Sequence, residues 1–556
     1  MSGFDETFDW VVVGSGAGSM ASALVMRQAG KSVLILEKTQ YVGGTTAKSG
    51  GVIWVPNNRF IREDGEHDST EAGIAYLDAV AEDVPGTSHE KRLAYVVEAP
   101  KMIDFLVDQG IALERGSEFW PDYYDEMPGG CKTSRTITAV PFDKKQLGSW
   151  ESKLRSGFLE VNARLDDGMK LAFVKKSWEA KRIFARIAFN VVWGKLTGKH
   201  YTTAGAALQG RMLQAALKAG VAIRTGCPVT ELIVEDGKVV GVVALNGGQP
   251  VRVEGRLGVL VNSGGYGQNQ AMRDKYQPGT QAAWSNTPEG DTGEMHLEME
   301  RIGGVLAQMD QMVGYQSTLA PGWEQDYVKP SGQILLGRPG AIMVDQSGVR
   351  YLNEGGSYEL FCETMLKRNR EVPAVPSWAV FDQNYAEEYQ VANAWLGKKA
   401  KRWKAAGYLK EGATVEDLAA QMGVPPATLR ATIERWNGFV DKGVDADFNR
   451  GAREYDKWLG DPFVKPNASL GRIDKPPFFA VQIVPGDVST YGGVVTDAQA
   501  RVLRGDGTPI AGLYATGVST ASVMGGVYPG AGASIGPSLT FGYVAAKHAA
   551  GVGNQI

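Results

Sequence analysis

The first 37 residues follow a strand, turn, helix and strand pattern that ends in an acid. An apolar stretch after Asp9 leads into Gly14-Ser15-Gly16-Ala17-Gly18, a helix of small residues follows, and a second apolar stretch ends at Glu37. A glycine turn of this kind also occurs in unrelated α/β proteins. The strand before it, the helix after it and an acid about 20 residues on favour a βαβ dinucleotide-binding unit. The backbone N–H groups of the turn would then meet a pyrophosphate, and Glu37 would accept hydrogen bonds from ribose hydroxyls.

Two later parts of the chain have the same strand-to-glycine form. A strand over 259–263 ends in Gly264-Gly265, and residues 512–517 repeat the pattern. The glycine-rich residues 530–536 then open a final helix, whose N-terminus would stabilise negative charge. We therefore predict an α/β fold with a Rossmann-like nucleotide-binding domain that is built from discontinuous segments.

The composition excludes several other classes of protein. Lys and Arg number 58 against 62 Asp and Glu, for a net charge of -4, which does not fit a general nucleic-acid binder. Three isolated cysteines (Cys131, Cys227 and Cys362) and five scattered histidines predict neither a disulfide framework nor a metal site. An acidic start, without a run of about 18 apolar residues anywhere, predicts a cytoplasmic protein with no membrane-spanning helix.

Over nearly its whole length the sequence resembles the flavoprotein family that contains fumarate reductases and 3-ketosteroid dehydrogenases. The matching segments are 14–18, 37–38, 43–46, 49–51, 262–265, 353–354 and 512–536. The resemblance implies non-covalent FAD rather than NAD. The FAD-binding residues that it implies are Gly14, Ser15, Gly16, Ala17, Gly18, Glu37, Lys38, Gly43, Gly44, Thr45, Thr46, Ser49, Gly50, Gly51, Val229, Ser263, Gly264, Gly265, Gly517, Ala533, Ser534 and Ile535.

Within this family the sequence is more similar to the ketosteroid branch. A dicarboxylate-reducing member needs an Arg and His cluster and often a histidine attached to flavin, whereas Ser489-Thr-Tyr491-Gly492-Gly493 stands at the corresponding place. Segments 49–58, 121–124 and 524–537 look like the ketosteroid dehydrogenases. This branch implies 1,2-desaturation of a 3-ketosteroid or sterol-derived ketone, with an external electron acceptor. The alternatives are 4(5α)-desaturation, enoate reduction and, from another class, a flavin-free binding scaffold.

The resemblance also implies catalytic residues. Desaturation beside a ketone requires carbonyl polarisation, removal of the neighbouring proton and hydride transfer to the flavin. The Tyr528 hydroxyl and the Gly532 N–H would bind the ketone oxygen, Tyr358 would take the carbon 2 proton, and Tyr123 would assist it. A tyrosine with a pKa near 10 is a weak base at pH 7, so Tyr358 needs a partner. The residues that compete with Tyr123 for this place are Tyr124, Tyr315 and Tyr327.

The chain divides into five predicted segments. The FAD-binding domain takes 1–139, 205–289 and 471–556, an inserted helical region takes 140–204, and an α+β substrate and catalytic domain takes 290–470. The insertion carries Lys175, Lys176, Lys181 and Arg182 among apolar residues, which predicts a basic amphipathic helix. Two interpretations stay open. The helix either packs on the protein's own core or lies on an anionic membrane at the inner face, with Phe184, Ile187, Val191 and Trp193 in the lipid interface.

Overall fold

The central sheet is assembled from three separate parts of the chain. The structure, a computed structural model, describes residues 3–116, 120–323 and 328–553. In chain order its strands are β1 (Glu6–Val13), β2 (Val33–Glu37), β3 (Ile53–Trp54), β4 (Leu113–Arg115), β5 (Thr136–Ala139), β6 (Phe142–Asp143), β7 (Tyr201–Thr202), β8 (Ala222–Thr225), β9 (Val229–Glu235), β10 (Lys238–Asn246), β11 (Gln249–Val261), β12 (Leu306–Ala307), β13 (Met312–Ser317), β14 (Ala341–Val344), β15 (Ser377–Asp382), β16 (Lys410–Gly412), β17 (Phe478–Thr490), β18 (Gly493–Val494), β19 (Arg501–Leu503) and β20 (Pro509–Ala515).

Helices cover both the nucleotide-binding part and the second domain. They are α1 (Ala17–Gln28), α2 (Gly44–Lys48), α3 (Arg59–Glu63), α4 (Thr70–Val80), α5 (His89–Asp108), α6 (Leu165–Lys170), α7 (Trp178–Thr197), α8 (Ala204–Lys218), α9 (Gln270–Tyr276), α10 (Glu294–Arg301), α11 (Gly332–Gly337), α12 (Tyr358–Asn369), α13 (Gln383–Glu388), α14 (Leu396–Ala405), α15 (Val415–Met422), α16 (Pro426–Lys442), α17 (Glu454–Leu459) and α18 (Ile535–Ala550). Turns of 3-10 helix lie at Lys144–Lys153, Leu171–Phe173, Ala282–Trp284 and Gly517–Ser519.

The main sheet has a parallel centre in the order β20-β11-β1-β2-β8. Strands β9, β10 and β19 extend it by antiparallel pairing. Residues 10–13 of β1 form a continuous apolar run that is buried, as expected for a parallel strand that is covered on both faces. Helices α1 and α18, from the two ends of the chain, pack against each other. The predicted α/β fold, with a sheet built from discontinuous segments of the chain, is confirmed.

The second sheet is antiparallel and contains β13 to β17. Its order is β13-β17-β15-β14, with β16 also paired to β17. Strand β17 pairs with β15 over residues 478–483 and with β13 over residues 484–490. Residues 478–490 therefore belong with this sheet, although the predicted second domain ends at residue 470. The sequence marks no break there, because β17 leads directly from the second sheet into the segment that returns to the first.

The inserted region is largely helical, as its sequence predicts. Ser177 is the N-cap of helix α7, and its side chain accepts a hydrogen bond from the Ala180 N–H. The C-cap is Gly198, in the left-handed conformation (φ 64°). Both ends follow ordinary capping chemistry. The short pair β6–β7 closes the region where it joins α8.

Candidate active site

The turn after β1 requires glycine because other backbone approaches it closely. Gly14 has φ 93°, and a Cβ there would lie 2.3 Å from the Asn262 carbonyl oxygen. A Cβ at Gly18 would lie 2.3 Å from the Ser538 carbonyl oxygen, on α18. The two glycines thus bring together the three separate segments of the nucleotide domain.

Helix α1 starts directly after this turn, at the edge of the parallel sheet. Among the described residues, no side chain caps its N-terminus at Gly16. Uncapped N–H groups and the helix dipole suit a phosphate group. At the end of β2, Glu37 accepts hydrogen bonds from the Ser15 hydroxyl at 2.5 Å and from the Thr39 N–H at 2.8 Å. A carboxylate has further lone pairs, so this arrangement leaves acceptor capacity for a ribose.

The predicted loop 43–51 packs against the start of α8. The Gly205 N–H donates to the Ser49 carbonyl oxygen at 3.0 Å, and a Cβ at Gly51 (φ 63°) would lie 2.4 Å from the Gly205 backbone. Beside Gly43, the Gln209 side chain is buried, and neither of its amide atoms has a partner among the described residues. A buried unpaired amide is costly unless a ligand satisfies it. The donors and acceptors along this edge therefore fit a bound dinucleotide such as FAD.

The remaining predicted cofactor residues follow the same edge. The Ser263 N–H and the Gly264 carbonyl both bond to the Ser519 hydroxyl, at 3.0 Å each, next to Gly517. Val229 opens β9 just after Cys227, whose N–H donates to the Glu37 carbonyl at 2.9 Å. The Lys38 side chain, by contrast, pairs with Glu294 at 2.7 Å.

The predicted catalytic tyrosines lie together although they come from distant parts of the chain. Ring centroids are 5.4 Å apart for Tyr123 and Tyr358, 5.2 Å for Tyr358 and Tyr528, and 5.9 Å for Tyr123 and Tyr528. Tyr358 is the first residue of α12, so it belongs to the second domain. Gly532 follows Tyr528 in the turn that leads to Ile535, where α18 starts without a side-chain cap among the described residues. A carbonyl oxygen placed there would meet N–H groups and a phenol together.

The tyrosine cluster is an apolar setting for a base. Burial raises the pKa of Tyr358 well above its ordinary value of 10, and the neighbouring Tyr123 and Tyr528 add to this rise. The pKa of Tyr123 is raised as well, chiefly by burial. Without bound ligands, both phenols are therefore neutral at pH 7. Next to Tyr358, burial also raises the pKa of the Glu359 carboxyl to about 8.

Two of the three alternative partners of Tyr358 lie among the described residues. The Tyr315 ring lies 6.1 Å from Tyr358. The Tyr124 ring instead lies under the Arg453 guanidinium group at 5.3 Å, and the Tyr124 N–H donates to the Tyr76 hydroxyl. Tyr327 lies outside the described residues.

One tyrosine of the cluster was not expected from the sequence. The Tyr455 ring, on α17, lies 4.2 Å from Tyr123, and its hydroxyl accepts a hydrogen bond from the Gln333 amide at 2.8 Å. No motif surrounds Tyr455 in the sequence, and only the packing of the second domain against Tyr123 identifies it. On the opposite side, the Tyr491 ring lies 6.4 Å from Tyr528, and its hydroxyl donates to the Val527 carbonyl.

Helix α7 of the inserted region exposes apolar side chains. Trp178, Phe189, Val192, Trp193 and Leu196, here named the α7 stripe, are spaced so that they share one face. Trp178 and Leu196 are 77% and 76% exposed. Of the face expected from the sequence, Phe184 and Trp193 are exposed, but Ile187 and Val191 are half-buried. None of the described helices is long and apolar enough to cross a membrane.

The four cations before and within the start of α7 are not all available for contact with a partner outside the protein. Lys176 forms an ion pair with the buried Asp461 at 2.7 Å and with Glu388 at 3.0 Å. Lys175 lies over the Trp395 ring at 3.9 Å. These two residues hold the insertion on the second domain, whereas Lys181 and Arg182 lie exposed beside the α7 stripe.

Comparison with known proteins gives matches over the full length. The FAD binding domain family matches residues 9–535. A 3-oxosteroid 1-dehydrogenase of Mycobacterium tuberculosis (strain ATCC 25618 / H37Rv) is 35% identical over 562 residues, which is 98% of this chain and 98% of that protein. A 4-oxocyclohexanecarboxylate 2-dehydrogenase of Sinomonas cyclohexanicum is also 35% identical, over 98% of this chain and 93% of that protein.

A solved structure matches both domains. It is the 3-ketosteroid delta1-dehydrogenase from Sterolibacterium denitrificans in complex with 1,4-androstadiene-3,17-dione. The TM-score is 0.91 and the sequence identity 33%, over 98% of this chain and 100% of that chain. The similarity therefore includes the inserted region and the second domain as well as the nucleotide-binding part.

Proposed function

Because this chain belongs to the FAD-binding flavoprotein family that contains the fumarate reductases and the 3-ketosteroid dehydrogenases, we propose that it desaturates 3-ketosteroids between carbons 1 and 2. The predicted family and the predicted α/β fold are both confirmed by these matches. Full-length similarity to two 1-dehydrogenases favours this reaction over 4(5α)-desaturation and enoate reduction. It also argues against a binding scaffold without flavin.

The observation that carries the proposal is the meeting of three tyrosines at the start of α18. In the proposed reaction, the Tyr528 hydroxyl and the Gly532 N–H donate to the ketone oxygen, where negative charge grows as the carbon 2 proton leaves. Tyr358 accepts that proton in its ionised form, as a tyrosinate, and becomes the neutral phenol. Bound FAD would supply the acceptor for the hydride that leaves carbon 1. Since each turnover removes two electrons from the steroid, an external electron acceptor is part of the proposal.

Tyr123 is the proposed partner of the base. Its ring lies 5.4 Å from the Tyr358 ring and 5.9 Å from the Tyr528 ring, so its hydroxyl is the proposed hydrogen-bond partner that stabilises charge on Tyr358. The raised pKa of Tyr358 means that charge on this phenol is costly without such help. Tyr455 and Gln333 extend the contacts of Tyr123 away from the substrate.

FAD is proposed to bind without a covalent bond. The uncapped start of α1, loop 43–51 and the unpaired Gln209 amide supply polar partners for it. Segment 489–493, which contains no histidine, stands where a flavin-attached histidine would be expected, and the Tyr491 hydroxyl in it donates to the Val527 carbonyl. Acid precipitation should therefore release the flavin into the supernatant, and yellow colour left in the washed pellet would contradict this mode of binding.

Product analysis tests the reaction. With 4-androstene-3,17-dione and an artificial electron acceptor, mass spectrometry should find a loss of two hydrogens, and NMR should place the new double bond between carbons 1 and 2. 4-Oxocyclohexanecarboxylate should be supplied in a parallel assay, since a relative of equal identity is named for that substrate. Faster turnover of this small acid than of the steroid would contradict the proposed substrate class.

Peripheral contact with an anionic membrane is the second part of the proposal. Its support is the α7 stripe, whose aromatic rings at Phe189 and Trp193 stack 6.0 Å apart on the protein surface. Exposed Lys181 and Arg182 beside it add attraction to anionic headgroups. A steroid that dissolves in lipid would then be collected where it is most concentrated.

A further inference from the structure

A buried ion cluster lies directly behind Tyr123. The Arg135 guanidinium, just before β5, donates to both Asp68 oxygens, at 2.8 and 2.7 Å, and to Asp122 at 2.7 Å. The side chains of Arg135, Asp68 and Asp122 are only 1%, 4% and 1% exposed. Burying charges costs several kcal/mol per ion before their attraction is counted, so a cluster of this kind is a weak means of stabilising a core. The cluster is better explained by a need to hold the neighbouring residues in fixed positions.

The cluster reaches the first side of the proposed site through Asp122. This residue immediately precedes Tyr123, and its carboxylate accepts hydrogen bonds from the Trp54 indole N–H at 2.7 Å and the Cys131 N–H at 2.9 Å. Burial raises the pKa of Asp122, and Arg135 opposes that rise. The ion pair with Arg135 at 2.7 Å fixes the position of the Asp122 carboxylate, and Asp122 in turn is joined directly to Tyr123 in the backbone.

Residues next to this cluster also bind the turn between Tyr528 and Gly532, on the other side of the proposed site. The Pro529 carbonyl accepts hydrogen bonds from the Tyr123 N–H at 2.9 Å and from the Tyr76 hydroxyl at 2.6 Å. The Trp54 N–H donates to the Gly532 carbonyl at 3.3 Å. These bonds join the turn that would bind the ketone to the segment that carries Tyr123.

Gly530 shows how tightly the turn is seated on this cluster. A Cβ at Gly530 would lie 2.5 Å from two ring atoms of Trp54 and 3.3 Å from an Asp122 oxygen. The Arg135 guanidinium lies over the Trp54 ring at 5.8 Å and over the Tyr76 ring at 5.6 Å. A shift of Arg135 would therefore move Trp54, Tyr76 and the turn together.

We propose that Asp68, Arg135 and Asp122 are a positioning unit that fixes Tyr123 relative to the Tyr528–Gly532 turn. None of its three residues belongs to the predicted catalytic or FAD-binding set. The unit makes proton removal and carbonyl polarisation act on one steroid at the same time. This inference rests on the proposed desaturation and adds to it the residues that set its geometry.

Arg135→Lys is the test, because lysine keeps the charge and loses the fork that spans Asp68 and Asp122. We expect kcat for 4-androstene-3,17-dione to fall roughly 10 to 100-fold, the cost of misplacing groups by about 1 Å or less. The KM, the FAD content and the dissociation constant of the dienone product should stay within about twofold. Asp122→Asn, which removes the ion pair and keeps the shape, should give the same split between kcat and KM, and it serves if the first variant does not fold.

Arg115→Lys is the matched control. Arg115, on the neighbouring strand β4, makes the same paired contact with Glu66, at 3.0 and 2.9 Å, and its other side-chain contacts go to Asp64, Thr133 and Ser134. Its kcat should match that of the parent enzyme. If all three variants keep the kcat of the parent enzyme, or if the loss appears only in KM or FAD content, the positioning unit is overturned. The proposed function would not be affected by that result. A parent enzyme that binds FAD but leaves the steroid unchanged would overturn the proposed function and this inference with it.

Discussion

Gly532 occupies a position that accepts no side chain. Its φ is 103°, and a Cβ would lie 2.5 Å from the Trp54 backbone nitrogen. Since the residue is locked between Trp54 and the start of α18, the direction of its N–H is fixed before any substrate arrives. Tyr528 is held by the same short segment and is 5% exposed. Both proposed donors are therefore held rigidly, as stabilisation of a developing oxyanion requires.

Tyr528→Phe removes one donor of the pair. Because the hydrogen bond strengthens as charge develops on the ketone oxygen, kcat should fall by about a hundredfold to a thousandfold. The KM should change far less. Steady-state kinetics with FAD content as the control measures this, and a variant that keeps more than half of the parent's kcat would contradict the role.

Tyr358→Phe removes the proposed base. The parent's rate should rise with pH, because only the ionised phenol accepts a proton and burial places the pKa of Tyr358 above 10. The rise should therefore reach no plateau in the neutral range, and it should disappear in the variant, which still binds FAD and steroid. Stopped-flow bleaching of the flavin under anaerobic conditions measures the step. Rapid bleaching in the variant would transfer the role to another group, with Tyr315, whose ring lies 6.1 Å from Tyr358, as a candidate.

The sequence predicts these residues unequally, for a physical reason. Tyr528 and Gly532 share one glycine-rich segment with fixed spacing, so a local motif was sufficient to find them. Tyr455 has no such motif, and its closeness to Tyr123 arises only when α17 packs on the first domain. Glu359 looks like an ordinary first-turn acid of α12, and only its burial reveals the raised pKa.

At the scale of elements, α7 shows the limit of periodicity. Its apolar residues occupy both faces, since Ile183 is buried while Phe189 and Leu196 are exposed. The helical spacing of apolar residues is compatible with either face packing on the core. It therefore does not identify which face is exposed. The sequence therefore predicted the helix and its basic character, but only part of its outer face. It also could not reveal that Lys176 is tied to Asp461.

Replacing Phe189, Trp193 and Leu196 by Ser tests the α7 stripe. The triple variant should lose cosedimentation with anionic vesicles at low salt, and it should keep its activity on a short ketosteroid in solution. Lys181→Gln with Arg182→Gln should weaken binding by roughly 1 kcal/mol per cation, an effect that added salt masks. Val444→Ser, at another exposed apolar residue, is the control. A parent enzyme that never cosediments with these vesicles would contradict the membrane contact.

At the scale of the molecule, the proposed site exists only where the two domains meet. Tyr123 and Tyr528 lie in the predicted FAD-binding segments, whereas Tyr358 and Tyr455 lie in the predicted second domain, at the start of α12 and in α17. The parallel sheet was predictable because each of its segments repeats a strand-to-glycine pattern. The course of β17 was not, since residues 478–490 pair with β13 and β15 by tertiary contact alone. The local sequence therefore predicts the sheet edge at which the cofactor is proposed to bind. The course of β17 and the tyrosine cluster depend on how distant parts of the chain pack together.

FAD should therefore stabilise the whole fold rather than one loop. Its predicted partners lie in all three segments of the nucleotide domain, so unfolding any segment would release it. At a free concentration of about 100 times its dissociation constant, FAD should add about 2.7 kcal/mol to the free energy of unfolding. Thermal unfolding of the apoprotein with and without FAD measures the shift, with FMN and ADP as half-molecule controls that should each give a smaller one. Equal midpoints for the apoprotein and the FAD-loaded protein would contradict a cofactor that spans the three segments.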